Sequence, residues 1–333
     1  MLYLNGKEVE QNFFPNRETY LDIPLLFRTR ADSAQATQPV VIGMKFESND
    51  DLIDLMNLKR YLDNLGYKDI VLKVPYFPYS TMDHTDGTRP LALKSVAEFI
   101  NGLGFSRVLV YEPHSPVLEA LVNNIDVRMT TAHIIPRALY APSNAKYLLS
   151  AIGRDQGEKC GRVFLVYPDS GAAKRYNGII GRDQNCELNM YCASAEWNYD
   201  PVIVFDKERN FKDGKLGAMK PLTTLPHFRD SDVCIIVDDL CRKGRTFMEA
   251  AKVLAEAGAK HIRLCVTHLE RIAFHGVLLD DSPIEKVFAT DACIPADPKL
   301  NGIPEYEDVI DSGKLEIIDI DYGSMSIELD NDF

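Results

Sequence analysis

Two adjacent carboxylates, Asp238 and Asp239, close an apolar run in the stretch CIIVDDLCRKGRTFMEAA (Cys234–Ala251). Three cations, Arg242, Lys243 and Arg245, follow around Gly244 and lead into Thr246 and a helical pattern. Paired carboxylates at the end of a strand can accept hydrogen bonds from sugar hydroxyls. A cationic, Gly-containing turn ahead of a helix can take a phosphate through its amides and its charged side chains. A plainer account also fits an acidic pair in this place: one Asp caps the following helix and the other is solvated.

Such a turn needs a scaffold that presents it, and the sequence supplies strand-like runs alternating with helical patterns over nearly its whole length. VVIGM (Val40–Met44), DIVLKVPY (Asp69–Tyr76), RVLVYEP (Arg107–Pro113), VFLVYP (Val163–Pro168), PVIVFD (Pro201–Asp206), CIIVDD and IRLCVTH (Ile262–His268) are predicted strands of an α/β protein. In that architecture ligands gather at the carboxyl ends of the strands, which is where the acidic pair falls. Two segments share the order strand, acidic loop, helix, Gly, strand: the one that starts at Val40 and the one that starts at Val233. A duplicated unit in each half predicts two domains, 1–152 and 153–333, with the boundary in the polar stretch AIGRDQGEKCG.

Composition narrows the function classes. With 333 residues the chain can bury two ordinary cores. A formal net charge of −12 opposes a nucleic-acid partner, so any phosphate must be gripped by local cations. No apolar run reaches the roughly 18 residues of a membrane span, and the first residues lack the basic and apolar regions of a secretory signal. Seven cysteines without C-x-x-C spacing fit a reducing compartment rather than a disulfide framework or zinc site. The expectation is a cytoplasmic protein with no membrane or nucleic-acid partner.

The stretch VCIIVDDLCRKGRT resembles the ribose-phosphate loop of phosphoribosyltransferases and of phosphoribosyl pyrophosphate synthetases, and further motifs point to the synthetase family. FFPNRETYLDI resembles that family's F-x-N-x-E-T adenine-contacting hairpin. FESNDDLIDLM resembles its early Asn-Asp ahead of a helix, and VPYFPYSTMDHTDGTRPLALKSVAEFI its ATP-contacting loop and the helix carrying Lys94. EPHS resembles its metal site, YPDSGAAKR its P-D-x-G-x-x-K-R run and VFDKERNF the K-x-R of its mobile catalytic loop. THLE and VFATDACIP fall where its closing strands do. The similarity runs in order over about residues 13 to 320.

The resemblance implies two tandem phosphoribosyltransferase-type domains with parallel sheets flanked by helices and an active site between the halves. It implies transfer of the β,γ-diphosphoryl group of Mg-ATP to an anomeric hydroxyl, with release of AMP. It assigns Phe14, Asn16, Glu18, Asp83, Asp86, Arg89 and His114 to ATP, His114 and Asp169 to Mg²⁺, and Lys207 and Arg209 to the transferring phosphoryl. Asp238 and Asp239 fall to the ribose, with Arg242, Lys243, Gly244, Arg245 and Thr246 around its phosphate. Because the family's hairpin reaches a neighbouring subunit, it also implies a homo-oligomer. Taken without the resemblance, His114 reads as an ordinary half-buried histidine and the Lys207–Arg209 run as a solvated surface.

Two departures from the family pattern fall at the two substrates. Thr81 and Met82 stand where the family's ATP loop has Arg-Gln. Arg242, Lys243 and Arg245 stand where the family loop, D-D-x-x-[DS]-T-[GA]-G-T, has compact residues around one terminal phosphate. Guanidinium groups suit a bidentate grip on phosphate oxygens, so the loop fits either a more tightly held ribose 5-phosphate or an acceptor whose 5-phosphate continues into another, such as ADP-ribose. A regulatory partner of an active synthetase is the alternative from another functional class.

Overall fold

The computed structural model describes residues 1–32, 38–140, 162–176, 202–209, 216–279, 282–294 and 309–325. They form two compact units, Met1–Thr130 with Asp319–Phe333, and Thr131–Ile318.

In the first unit the strands are β1 (Leu2–Leu4), β2 (Lys7–Phe13), β3 (Thr19–Asp22), β4 (Val40–Met44), β5 (Ile70–Lys73), β6 (Arg107–Tyr111) and β7 (Ile125–Arg128). They lie in the order β3-β2-β1-β4-β5-β6-β7. From β4 to β7 every pairing is parallel, and β4 and β5 are buried along their whole length. Continuous apolar strands of this kind belong to sheets covered on both faces. The helices α1 (Asp50–Leu65), α2 (Ala92–Leu103) and α3 (Val117–Leu121) connect them. Leu55, Leu58 and Leu62 of α1 pack with Leu93, Ala97 and Ile100 of α2 over Ile42 and Leu72, and each buried Leu or Ile among them contributes about 2 kcal/mol.

The second unit repeats the plan. Helix α4 (Thr131–Tyr140) opens it, followed by β8 (Val163–Tyr167), α5 (Ser170–Tyr176), β9 (Val202–Arg209), β10 (Leu216–Pro221), β11 (Val233–Cys241), α6 (Arg245–Glu256), β12 (His261–Leu269), β13 (Lys286–Thr290) and β14 (Leu315–Ile318). The sheet order is β10-β9-β8-β11-β12-β13-β14, parallel throughout except for the β10-β9 pair. The two segments that share a pattern in the sequence, β4-α1-β5 and β11-α6-β12, are each a strand, a helix and a neighbouring parallel strand. The expected α/β class with two helix-flanked sheets is what the chain forms. Antiparallel strands extend the parallel sheets at their edges: β1, β2 and β3 at one edge of the first and β10 at one edge of the second.

The expected boundary at 152/153 lies outside the described residues, and the two compact units part at Thr130 and Thr131. Ile134, Ile135 and Ala138 of α4 are buried, and the Ala138 carbonyl accepts a hydrogen bond from Nη1 of Arg263 on β12. Those contacts tie α4 to the second sheet. At the other end the chain returns to the first. Tyr322 stacks on Tyr3, with ring centroids 4.7 Å apart, and Nζ of the fully buried Lys73 donates to the carbonyls of Asp321 at 2.5 Å and Ser324 at 3.1 Å. The return needs Gly43, because a Cβ there would meet Cβ and the carbonyl oxygen of Tyr322 at 2.7 Å.

Candidate active site

The acidic pair sits where β11 outruns its neighbour. β11 pairs with β8 as far as Ile236 and with β12 as far as Cys241, so Asp238 and Asp239 lie beyond the end of β8. Helix α5 starts there, with Asp169 at its head. Oδ1 of Asp169 accepts the backbone N–H groups of Gly171 and Ala172, both at 3.0 Å, which is a capping role. One turn on, Nη1 of Arg175 donates to Oδ1 of Asp238 at 3.3 Å and to Oδ1 of Asp239. Oδ1 of Asp238 also accepts the N–H of Asp239 at 3.0 Å.

These groups perturb one another strongly. Burial pushes the Asp238 carboxyl well above the usual carboxylate range, Asp239 and Asp169 push it the same way, and Arg175 opposes them. For Arg175, burial works against the charge, but Asp239, with Tyr176 and Asp238 behind it, more than restores it, so the guanidinium stays cationic. Asp238 and Asp239 share the one guanidinium, with Asp169 close enough to act on Asp238, and a divalent cation bound there would favour the charged form of these carboxyls. The buried Cys241 thiol is pushed up by burial and then by Asp238 and Glu270, which leaves it protonated and inert.

The turn after β11 has a buried backbone and exposed charges. Gly244 is buried, while Arg242, Lys243 and Arg245 are exposed and Thr246 is half-buried. Gly244 has φ +71°, and a Cβ there would lie 2.6 Å from Cβ of Leu278. Gly276 lies just as close on the other side, where a Cβ would meet the Lys243 carbonyl at 2.5 Å. Clamped in this way, the turn ends in the first residues of α6, whose amides favour an anion. Arg242 is partly committed, its Nε donating to Oε1 of Glu270 at 3.0 Å. Lys207 and Arg209 lie on β9, opposite Met219 and Leu216 of β10; their side chains are outside the described residues.

The residues assigned to ATP lie in the first unit. In the hairpin of β2 and β3, the Phe14 N–H donates to the Glu18 carbonyl at 2.8 Å and the Asn16 Oδ1 accepts the Glu18 N–H at 3.1 Å, so Asn16 shapes the turn. Phe14 is half exposed, its ring 4.7 Å from that of Tyr20. Asp83 is brought to the turn that holds His114. Burial would raise its carboxyl, but hydrogen bonds from His84 and from Ser115, the neighbour of His114, outweigh it and lower the pKa. Asp86 accepts from the N–H and hydroxyl of Thr88 at 2.9 and 2.6 Å, and Thr85 donates to the Arg89 carbonyl at 2.6 Å, which folds these residues into an exposed turn. His114 is half-buried. Met82, in place of the family's polar residue, is half exposed.

His114 thus belongs to the first unit and Asp169 to the second. Among the described residues no group of three or more His, Cys, Asp or Glu side chains forms a metal cage. Mg²⁺ does not demand one, since it takes one or two carboxylates and completes its shell with water and substrate phosphates. No described helix is long and apolar enough to cross a membrane. Sequence reasoning missed two features. It gave Arg175 no role at the acidic pair, although the residue stands in a motif it singled out, and it had no signal for Leu278 and Gly276 under the turn.

Known proteins carry the same plan. Residues 214–322 match the model of the phosphoribosyl synthetase-associated domain. The chain is 27% identical over 285 residues to a ribose-phosphate pyrophosphokinase of Aquifex aeolicus, covering 84% of this chain and 76% of that protein. It is 23% identical over 273 residues to the Bradyrhizobium diazoefficiens protein of the same name, covering 80% and 74%. Among solved structures it is similar in fold to phosphoribosylpyrophosphate synthetase from Mycobacterium smegmatis, with a TM-score of 0.62 at 18% identity over 94% of this chain and 86% of that one.

Proposed function

We propose that the chain is a member of the ribose-phosphate pyrophosphokinase family, as its similarity to proteins of that name supports, and that it transfers the β,γ-diphosphoryl group of ATP to the anomeric hydroxyl of an acceptor carrying a 5-phosphorylated ribose, releasing AMP. The observation that carries this reading is the pairing of Asp238 and Asp239 on one guanidinium, directly ahead of a clamped cationic turn and a helix N-terminus. Carboxylates there would accept from the ribose hydroxyls and orient the attacking oxygen. The amides of the turn and of α6 would take the 5-phosphate.

Displacement at the β-phosphorus is a matter of position and charge more than of covalent chemistry. Lys207 and Arg209 would neutralise the transferring group, with Phe14, Asn16 and Glu18 on the adenine and Asp83, Asp86 and Arg89 nearer the phosphates. Mg²⁺, held by His114 and Asp169 together with the phosphates, would supply further neutralisation of their charge. The grouping of Asp169 with Asp238 and Asp239 suits that cation.

The acceptor we favour is one whose 5-phosphate is esterified to a second phosphate, with ADP-ribose as the instance. The supporting feature is the orientation of the turn: its backbone is buried by Leu278 and Gly276, while Arg242, Lys243 and Arg245 stand exposed at its rim, where a second phosphate would meet them. The exposed aromatic tip of the β2-β3 hairpin fits a second copy of the chain, and the buried thiols of Cys234 and Cys241 fit the cytoplasm.

Incubation of the protein with Mg-ATP and each acceptor, read by AMP release and by ³¹P NMR of the product, tests the proposal. Turnover with ADP-ribose in preference to ribose 5-phosphate is expected. Preference for ribose 5-phosphate would reduce the cations to a firmer grip on a single phosphate. Silence with both would overturn the enzymatic reading in favour of a regulatory partner, for which the loss of the family's Arg-Gln at Thr81 and Met82 is the supporting feature.

A further inference from the structure

We propose that Arg175 is a positioning residue, the group that makes Asp238 and Asp239 act as a pair on the acceptor. The inference rests on the acceptor site described above and adds a residue to it.

Consecutive residues of a regular strand point to opposite faces of the sheet, so β11 by itself would send the two carboxylates apart. They converge because both Oδ1 atoms accept from Nη1 of the same guanidinium. Asp238 folds back onto the N–H of Asp239 at 3.0 Å, which brings its carboxylate to the side of the strand where Arg175 stands. The pair is largely buried, with 15% of the Asp238 side chain, 3% of Asp239 and 19% of Arg175 exposed. Two adjacent buried carboxyl groups are desolvated and repel each other when charged, so without a shared donor between them they would separate.

The guanidinium is itself held from behind. Its carbon lies 5.8 Å from the Tyr176 ring centroid, and Tyr176 is fully buried and stacks on Tyr167 of β8, with centroids 6.1 Å apart. The chain of contacts therefore runs from β8 through two tyrosines to Arg175, and from Arg175 to the two carboxylates at the end of β11. Arg175 touches neither substrate in this account; it sets the spacing and the charge of the groups that do.

Steady-state kinetics of Arg175→Met and Arg175→Lys, with each substrate varied in turn, test this. Loss of two charge-assisted hydrogen bonds at a buried pair is expected to raise the acceptor KM of Arg175→Met about 30-fold, with the ATP KM changed by less than about twofold. Arg175→Lys, which keeps a cation and several donors, is expected to recover most of the loss. Equal changes in both KM values, or an unchanged acceptor KM, would overturn the inference. If Arg175→Met does not fold, the lysine variant decides: a wild-type melting temperature with a small rise confined to the acceptor KM supports positioning by charge, and an equal rise in both KM values overturns it. Calorimetric titration of the acceptor into the wild-type protein separates the two proposals. A wild-type protein that neither binds nor turns over an acceptor overturns the functional reading along with this one, whereas wild-type turnover with an indifferent Arg175→Met overturns this one alone.

Discussion

Gly244→Ala asks whether the turn at the end of β11 is held by its packing. Two costs add. The residue has φ +71°, a left-handed conformation that costs an L residue about 1–2 kcal/mol relative to glycine. The new Cβ would also lie 2.6 Å from Cβ of Leu278 and 3.1 Å from its Cγ and Cδ2, and overpacking of this kind costs about 1–3 kcal/mol. The sum is about 3 kcal/mol, which in a domain of this size lowers the melting temperature by about 9 °C. Calorimetry and urea titration would read the loss directly. Leu278→Ala keeps the Cβ that makes the closest contact and removes packing at a fully buried site, so the double variant should be no more stable than Gly244→Ala. The acceptor KM should rise in Gly244→Ala while the ATP KM holds, because the shifted segment is the phosphate-receiving turn. A loss below about 0.5 kcal/mol, the scale of an ordinary surface substitution, would refute the clamped turn and with it the account of why the cations face outward.

Asp232 is fully buried as a side chain and accepts from the Arg162 guanidinium at 2.5 and 3.1 Å and from the Arg162 and Arg229 N–H groups at 2.8 Å each, and these bonds outweigh burial to lower its pKa. A depressed folded pKa means that its stabilisation is present above the unfolded value of about 3.9 and fades as pH falls below it. Asp232→Asn should cost about 3 kcal/mol at pH 7, and the urea midpoints of the two proteins should converge below about pH 4; a constant gap would refute the linkage. Lys207→Ala should lower kcat by about 10²-fold or more with a modest effect on acceptor KM, and unchanged turnover would remove Lys207 from the mechanism. Lys73→Met leaves the carbonyls of Asp321 and Ser324 without their buried donor, at about 2 kcal/mol, and should speed amide exchange across residues 319–325; unchanged exchange would refute the tie.

The parallel strands were legible because their chemistry is local and repetitive. VVIGM predicts Val40–Met44 and VFLVYP predicts β8 to within a residue, since a strand buried on both faces must be apolar along its whole length. The strands that carry no such signature were harder to see. β7 is half-buried at every position and contains Asp126 and Arg128, so nothing in its composition separates it from a loop. The return of residues 319–325 to the first sheet has no local signature either. It depends on a fully buried lysine whose partners are backbone carbonyls some 250 positions away in the chain, and backbone acceptors leave no mark in a sequence.

The same distinction runs through the site. Spacing alone exposed Asp238, Asp239 and the cations, because strand, turn and helix follow one another without interruption, and a resemblance can be matched to such a run residue by residue. What makes the acidic pair converge lies on another element, where Arg175 reads as one more basic residue in the last turn of a short helix. A basic residue there has a sufficient local reason, the negative end of the helix dipole, and that reason hides the long-range one. Leu278 is hidden in the same way: as an apolar residue after β12 it promises burial and nothing more, yet its Cβ is what excludes any side chain from position 244. The substrate-facing groups were therefore readable in one dimension, while the groups that hold them in place became visible when the sheet brought the two ends of β8 and β11 together.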